Sequence, residues 1–225
     1  MPTTFEIISN NFKFHDKSIR ILGYFSKSMG KTEALKDFEI GKKLDKFGGK
    51  ISGIRQTLRL GGECALIRNL FRLVVKDRNK VDPKIFFWSI IEAILTIGFY
   101  TTDHLIWAMS VDLIDPSKRI RKLISDLCSD WWFYGTVAQL INRLVKLYVN
   151  LRNSKDWEKK TEDERIRLTK EKKNIIFLIV KWFVDLQMIA YYRRFSFAFG
   201  PSLSYFLGVI AASMDNFMIL KGGSF

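Results

Sequence analysis

Twenty consecutive residues, Phe195 to Met214, carry no charge. A stretch of that length crosses a bilayer core of about 30 Å as a helix, because only a helix satisfies every backbone N–H and C=O within its own segment where water is absent. A second apolar run, Ile85 to Val111, is 27 residues long and has only Glu92 and Asp103 as charges. Pro83 suits a helix start, and Phe86, Phe87, Trp88 and Trp107 suit the two interfaces. An acid at mid-bilayer is costly, so Glu92 has to face a protein partner, be protonated, or lie in a segment that only partly inserts. These runs predict an all-α integral membrane protein with amphipathic N-terminal helices and one to three membrane-spanning or embedded helices.

The intervening segments refine that reading. Asp115-Pro116-Ser117 breaks the apolar pattern, and Trp131 to Val149, interrupted by Arg143 and Lys146, predicts a packed or interfacial helix. Leu151 to Lys173 holds 9 basic and 6 acidic residues with little apolar material and reads as a solvated helix or linker. Ile175 to Tyr192 is apolar except for Lys181 and Asp185, which stand four residues apart and can pair on one face of a half-buried helix. Further on, Gly208 and Ala212 repeat at the spacing of small-xxx-small pairs, which fits self-association. The resulting division is 1–80, a basic amphipathic region on the cytosolic side; 81–150, a membrane-associated helical region; 151–173, a charged linker; and 174–225, a membrane-embedded region.

The net charge of +14 is concentrated ahead of the apolar runs: between Lys13 and Lys80 stand 17 Lys/Arg and 7 Asp/Glu. Such a region seeks a polyanion, either nucleic acid phosphate or the anionic headgroups of a leaflet. No nucleic-acid reading motif accompanies it, so nucleic acid is not an expected partner. Within this region Phe5, Ile8, Phe12, Ile19, Leu22, Phe25 and Met29 recur at helical intervals, predicting one or two amphipathic helices that stop near Gly30. A second helix, Glu33 to Phe47, is expected to end at Gly48-Gly49.

Next, Ile51 to Leu60 and Glu63 to Lys80 flank Gly61-Gly62, predicting two short helices or one with a hinge. Arg68, Arg72 and Lys76 form one stripe, while Leu66, Leu70 and Val74 form another, joined by Ile67 and Phe71. Arg55 and Arg59 also share a face. Such a helix either buries its apolar side in a protein core or lies in a membrane interface. The neighbouring apolar runs favour the interface, with Arg55, Arg59, Arg68, Arg72 and Lys76 as the basic face on acidic phospholipid. Leu58, Leu66, Leu70, Phe71 and Val74 are then the apolar wedge, inserting about 5 to 10 Å and expanding one leaflet.

Cys64 and Cys128 stand far apart without CxxC spacing, and His15 and His104 add no metal-ligand pattern, so neither a disulfide framework nor a metal site is expected. No cofactor is implied. The first 30 residues hold no uninterrupted apolar core, so no secretory signal is expected. Asp103 beside His104 invites a catalytic reading, but neighbours on a helix point in different directions. With no Walker loop or nucleophile elbow either, an enzyme is not expected.

Several stretches in order resemble the peroxin eleven family. Asp16-Lys17 with Arg20, Tyr24 and Lys27 resembles its opening helix, and Ser52, Arg55, Leu58, Arg59 and Gly61 resemble its Ser-x-x-Arg-x-x-(Leu/Phe)-Arg-x-Gly element. Tyr100, Asp103, His104 and Trp107 resemble its Tyr-x-x-Asp-(His/Asn)-x-x-Trp element, and Gly208 with Ala211 to Ser213 resembles its final membrane segment. Gly62 and Asp215 depart from the pattern. The resemblance implies an integral protein of the peroxisomal or glycosomal membrane that drives organelle elongation, proliferation and fission through a cationic amphipathic helix. It also implies a homo-oligomer that works with fission factors and a dynamin-type GTPase. A rival expectation is a membrane channel for small metabolites, because Glu92, Asp103, Lys181 and Asp185 lie in otherwise apolar segments.

Overall fold

The computed structural model describes residues 4–155, 158, 160–193, 195 and 199–221, with side chains from Phe14 onward. The side chains of Phe5, Ile8 and Phe12, and positions 196–198 of the uncharged run, lie outside the described residues. Among the described residues the secondary structure is seven α-helices and no strand.

The amphipathic N-terminal pattern becomes a single helix, α1 (Thr4–Gly30). The second helix differs from its expected bounds: α2 (Glu39–Leu58) runs through Gly48-Gly49 instead of ending there. Gly48 is a packing residue, not a stop, because a Cβ at this position would stand 2.8 Å from the Gly23 carbonyl oxygen of α1. An ion pair between Lys31 and Asp45, at 3.0 Å, closes the corner between the two helices. The real break comes later, where Gly61 adopts φ +80 and turns the chain into α3 (Gly62–Val75).

Asp82 caps α4 (Pro83–Ser110), accepting from the Lys84 backbone N–H at 2.9 Å, with Pro83 opening the helix. Then α5 (Lys118–Asn153) extends over 36 residues, about 54 Å at 1.5 Å per residue. A capping box of Thr161 and Glu164 starts α6 (Glu162–Tyr192), and Pro201 starts α7 (Pro201–Leu220). The charged stretch 151–173 is therefore divided: it supplies the last residues of α5 and about three turns of α6.

Three helices, α4, α6 and α7, are long and apolar enough to cross a membrane. The last begins at Pro201, later than the start of the uncharged run, and continues past Asp215 to Leu220. Pro201 lacks the N–H that a helix interior needs, so it favours the first helical position. Asp215 is tolerated because Lys17 lies 2.9 Å away and Lys181 3.3 Å away. The outward sides of these helices expose Phe87, Ile94, Val180, Phe183, Phe206 and Ile210, apolar surface suited to acyl chains.

Neighbour packing runs α2–α1–α7–α6–α5–α4, and α4 returns to α2, so six helices close a ring with α3 seated outside on α4. The N-terminal helices are thus not segregated from the C-terminal ones: α1 lies along α7, and the hydroxyl of Ser28 donates to the Ser202 carbonyl at 2.9 Å. Tyr24, Met188 and Tyr205 form the apolar centre of this junction. The small residues Gly208, Ala211 and Ala212 are buried here, within the chain. A Cβ on Gly208 would stand 2.6 Å from the Tyr24 ring and 2.7 Å from the Met188 sulfur. Gly208 thus serves the approach of α1 and α6 to α7, and the burial of all three residues turns them inward, away from an outward self-association surface.

Candidate functional site

The two motif elements meet each other. Asp103 on α4 accepts from Gln56 Nε2 at 2.9 Å and pairs with Arg59 at 3.1 Å. One residue on, His104 turns to different partners: its Nε2 lies 3.2 Å from the Arg59 carbonyl oxygen and its Nδ1 lies 3.2 Å from Glu63. Trp107 Nε1 donates to Thr57 Oγ1 at 2.9 Å, and the Tyr100 ring lies beside Gly62, where an added Cβ would come within 3.3 Å of it. Together these four side chains grip the end of α2 and the start of α3. Their role in the fold is to hold the elbow that aims α3. Asp103 and His104 do not contact each other as a base and its orienter, since each is occupied by a separate partner.

Held this way, α3 has no buried residue. At about 100° per residue its circumference divides into three arcs. Leu66, Leu70 and Leu73 are half-buried and line a groove against α4 and α5, above Glu92, Asn142 and Arg143. The adjoining arc exposes Ile67, Phe71, Val74 and Val75, with Phe71 64% exposed. Beside it lie Arg68 and Arg72, with Lys76 just past the helix end, all exposed. Phe71 and Val74 of the expected wedge therefore face outward, whereas Leu66 and Leu70 face the groove and Leu58 is half-buried on α2. Val75, one turn beyond Phe71, completes the outward arc and is missing from the sequence-derived set; the i, i+4 spacing from Phe71 is the signal for it.

Two members of the expected basic face are elsewhere. Arg55 is 8% exposed and donates through Nε to Asp16 at 3.2 Å, and Arg59 lies between Asp103 and Asp16, 3.6 Å from the latter. Both point into the ring, where Asp16 on α1 supplies a buried anion that lipid would otherwise have to provide. Burial pushes Lys27 below its ordinary value, and it also lowers Arg55, with Arg59 and Arg20 adding repulsion.

The same ring encloses a cavity of about 400 Å³, bounded by α1, α2, α4, α5 and α6. Asp103, Lys181 and Asp185 reach its wall, and Glu92 lies instead on the groove beneath α3. Each acid in an apolar helix is paired. Glu92 accepts from Asn142 and lies 3.4 Å from Arg143, while Asp185 binds Arg20 at 2.5 Å and Lys181 at 3.0 Å. The i, i+4 pairing of Lys181 with Asp185 is as expected; the third partner, Arg20, comes from the other end of the chain.

No curated protein and no solved structure matches the chain. The family described as peroxisomal biogenesis factor 11 (PEX11) matches residues 4–193, which takes in α1 through α6 and both motif elements of the elbow. An all-helical chain with three helices able to cross a membrane, matched over most of its length in this way, belongs to the peroxisomal biogenesis factor 11 (PEX11) family, whose role lies in peroxisome biogenesis at the peroxisomal membrane.

Proposed function

We propose that the protein proliferates peroxisomes by laying α3 in the interface of the cytosolic leaflet, where it bends the membrane toward elongation and fission. The observation that carries this reading is the exposed arc of Ile67, Phe71, Val74 and Val75 beside Arg68, Arg72 and Lys76, on a helix with no buried residue. Apolar side chains on one arc enter the acyl boundary while the adjoining cations meet headgroup phosphates, each near-surface cation contributing about 1 kcal/mol on acidic lipid. The α4, α6 and α7 spans anchor the wedge and keep it concentrated at the surface, so modest affinity suffices. Homo-oligomers, fission factors and a dynamin-type GTPase belong to this proposal through the family resemblance.

The test uses the full chain reconstituted into acidic-lipid vesicles. The native protein is expected to draw tubules, and the Ile67→Ser/Phe71→Ser/Val75→Ser variant to leave vesicles round while remaining incorporated. Native tubulation by that variant would falsify the wedge.

A second reading, a channel for small metabolites, is favoured by one observation: the ring cavity has Asp103, Lys181 and Asp185 on its wall. Ionisable groups around a cavity inside a membrane bundle are a usual sign of a solute path. Conductance in planar bilayers that changes with Lys181→Met, while tubulation persists, supports it; conductance indifferent to this substitution counts against it.

A further inference from the structure

The ring cavity carries an excess of positive charge. Six cationic side chains reach its wall: Lys17, Arg20, Lys27, Arg55, Arg59 and Lys181. Against them stand Asp16, Asp103 and Asp185 on the wall and Asp215 directly behind it, so the carboxylates leave two positive charges without a counter-ion. One excess charge belongs to the cluster of Arg20 and its neighbours and the other to Lys27. Lys17, Arg20 and Lys181 share Asp185 and Asp215, and Arg59 has Asp103.

Lys27, by contrast, has no carboxylate within ion-pair reach among the described residues; its ammonium donates only to Ser52 Oγ, at 3.4 Å, and lies over the Tyr205 ring. Arg55 meets Asp16 through Nε alone, and its two terminal nitrogens make no hydrogen bond among the described residues. Two further N–H groups on this wall, Arg20 Nε and Trp182 Nε1, are buried without an acceptor among the described residues. Tyr24 sits between the guanidiniums of Arg20 and Arg55, at 5.1 and 5.7 Å from its ring centre, and holds the two forks apart around the space.

Buried cations are costly unless paired, and guanidinium forks with an ammonium are the groups that match a tetrahedral oxyanion. The geometry points to a binding site in this cavity for a small oxyanion of the phosphate or phosphate-monoester class, held by Lys27 and Arg55 with Arg20 in support. Two negative charges would balance the wall. Ser125 on the cavity wall is exposed, so the cavity reaches the surface and the ligand has a way in. Occupancy requires no insertion of α3, and although the site shares its cavity with the channel reading, binding there needs no passage through the ring.

The test is equilibrium dialysis of the full-length protein in neutral detergent against radiolabelled inorganic phosphate at fixed chloride, with soluble dihexanoyl phosphatidate as the lipid-borne form of the same group. One saturable site per chain is expected. Lys27→Gln should weaken it by about tenfold or more, Lys27→Arg should restore it, and Lys43→Gln on the exposed side of α2 should leave it unchanged. Lys27 holds no carboxylate, so its replacement leaves the ion pairs of the fold in place, and retained helicity checks this. Displacement of phosphate by phosphatidate supports the site and assigns it to a lipid headgroup; failure to displace supports it as a site for free anions. Absence of saturable binding for both probes overturns the proposal, as does binding that Lys27→Gln leaves unchanged. Tubulation is read separately, so the wedge and this site can fail independently.

Discussion

Asp16 shows how one side chain redirects others. Burial pushes its carboxyl up, but Arg55, Lys17, Arg59 and Arg20 outweigh that and hold it below the ordinary carboxylate value. A folded-state value below the unfolded one means that the carboxylate's contribution to stability is complete above the ordinary carboxylate range and is lost as pH falls through the depressed value. Asp16→Asn leaves Arg55 buried without its anion and is expected to cost about 3 kcal/mol near neutral pH. Thermal melts of the detergent-solubilised protein should separate native and variant at pH 7, with the gap narrowing below about pH 4. Equal melting at pH 7 would show that Arg59, Lys17 and Arg20 need no help from this carboxylate. The arginines at 55 and 59 read as lipid-facing because their spacing places them on one side of a helix; periodicity does not say which side a buried acid on another helix will claim.

The faces of α3 make the same distinction over a whole helix. Its leucine arc packs in the α4–α5 groove and its Ile67–Phe71 arc is exposed, so substitutions on the two should behave differently. Ile67→Ser/Phe71→Ser is expected to change stability by less than about 0.5 kcal/mol, because exposed positions away from special contacts are nearly neutral. Leu66→Ser/Leu70→Ser is expected to cost about 2 kcal/mol through lost burial. Urea or thermal unfolding of the two double variants, side by side, checks both; comparable losses would mean that α3 packs through its whole circumference. The elbow that sets this orientation depends on Gly61 at φ +80 and on the grip of Asp103, His104 and Trp107. Both elements were visible as separate motifs, at a distance in sequence that gives no hint of their contact.

Closure of the ring brings the ends of the chain together. The N-terminal α1 runs along the C-terminal α7, where Ser28 and Ser202 lie with their hydroxyl oxygens 3.5 Å apart. Ser28→Cys/Ser202→Cys, in a Cys64→Ser background, is therefore expected to form an intramolecular disulfide on mild oxidation in membranes, seen as a mobility shift on a non-reducing gel. No shift, or only dimers, would mean that residues 1–80 stand apart from the membrane helices as the division by composition suggests. In the structure that division does not separate bodies. The basic excess of the first third is partly consumed inside the ring, by Asp185 and Asp215 of the last third.

What the sequence alone determined is the set of properties that depend on local pattern: an all-helical chain, the apolar runs at 85–111 and 195–214, the Lys181–Asp185 pair, and the amphipathic character of 63–76. Helical period and bilayer thickness act over one segment, so one segment is enough to read them. The tertiary structure decided which arginines face inward, which arc of α3 stays open, and that Gly48 and Gly208 are approach points instead of a stop and a dimer surface. Those choices rest on charges and side-chain volumes elsewhere in the chain, such as Asp16, 39 residues from Arg55, and Tyr24 against Gly208. Burying a cation is tolerable only where an anion meets it, and that meeting exists only once the ring has closed.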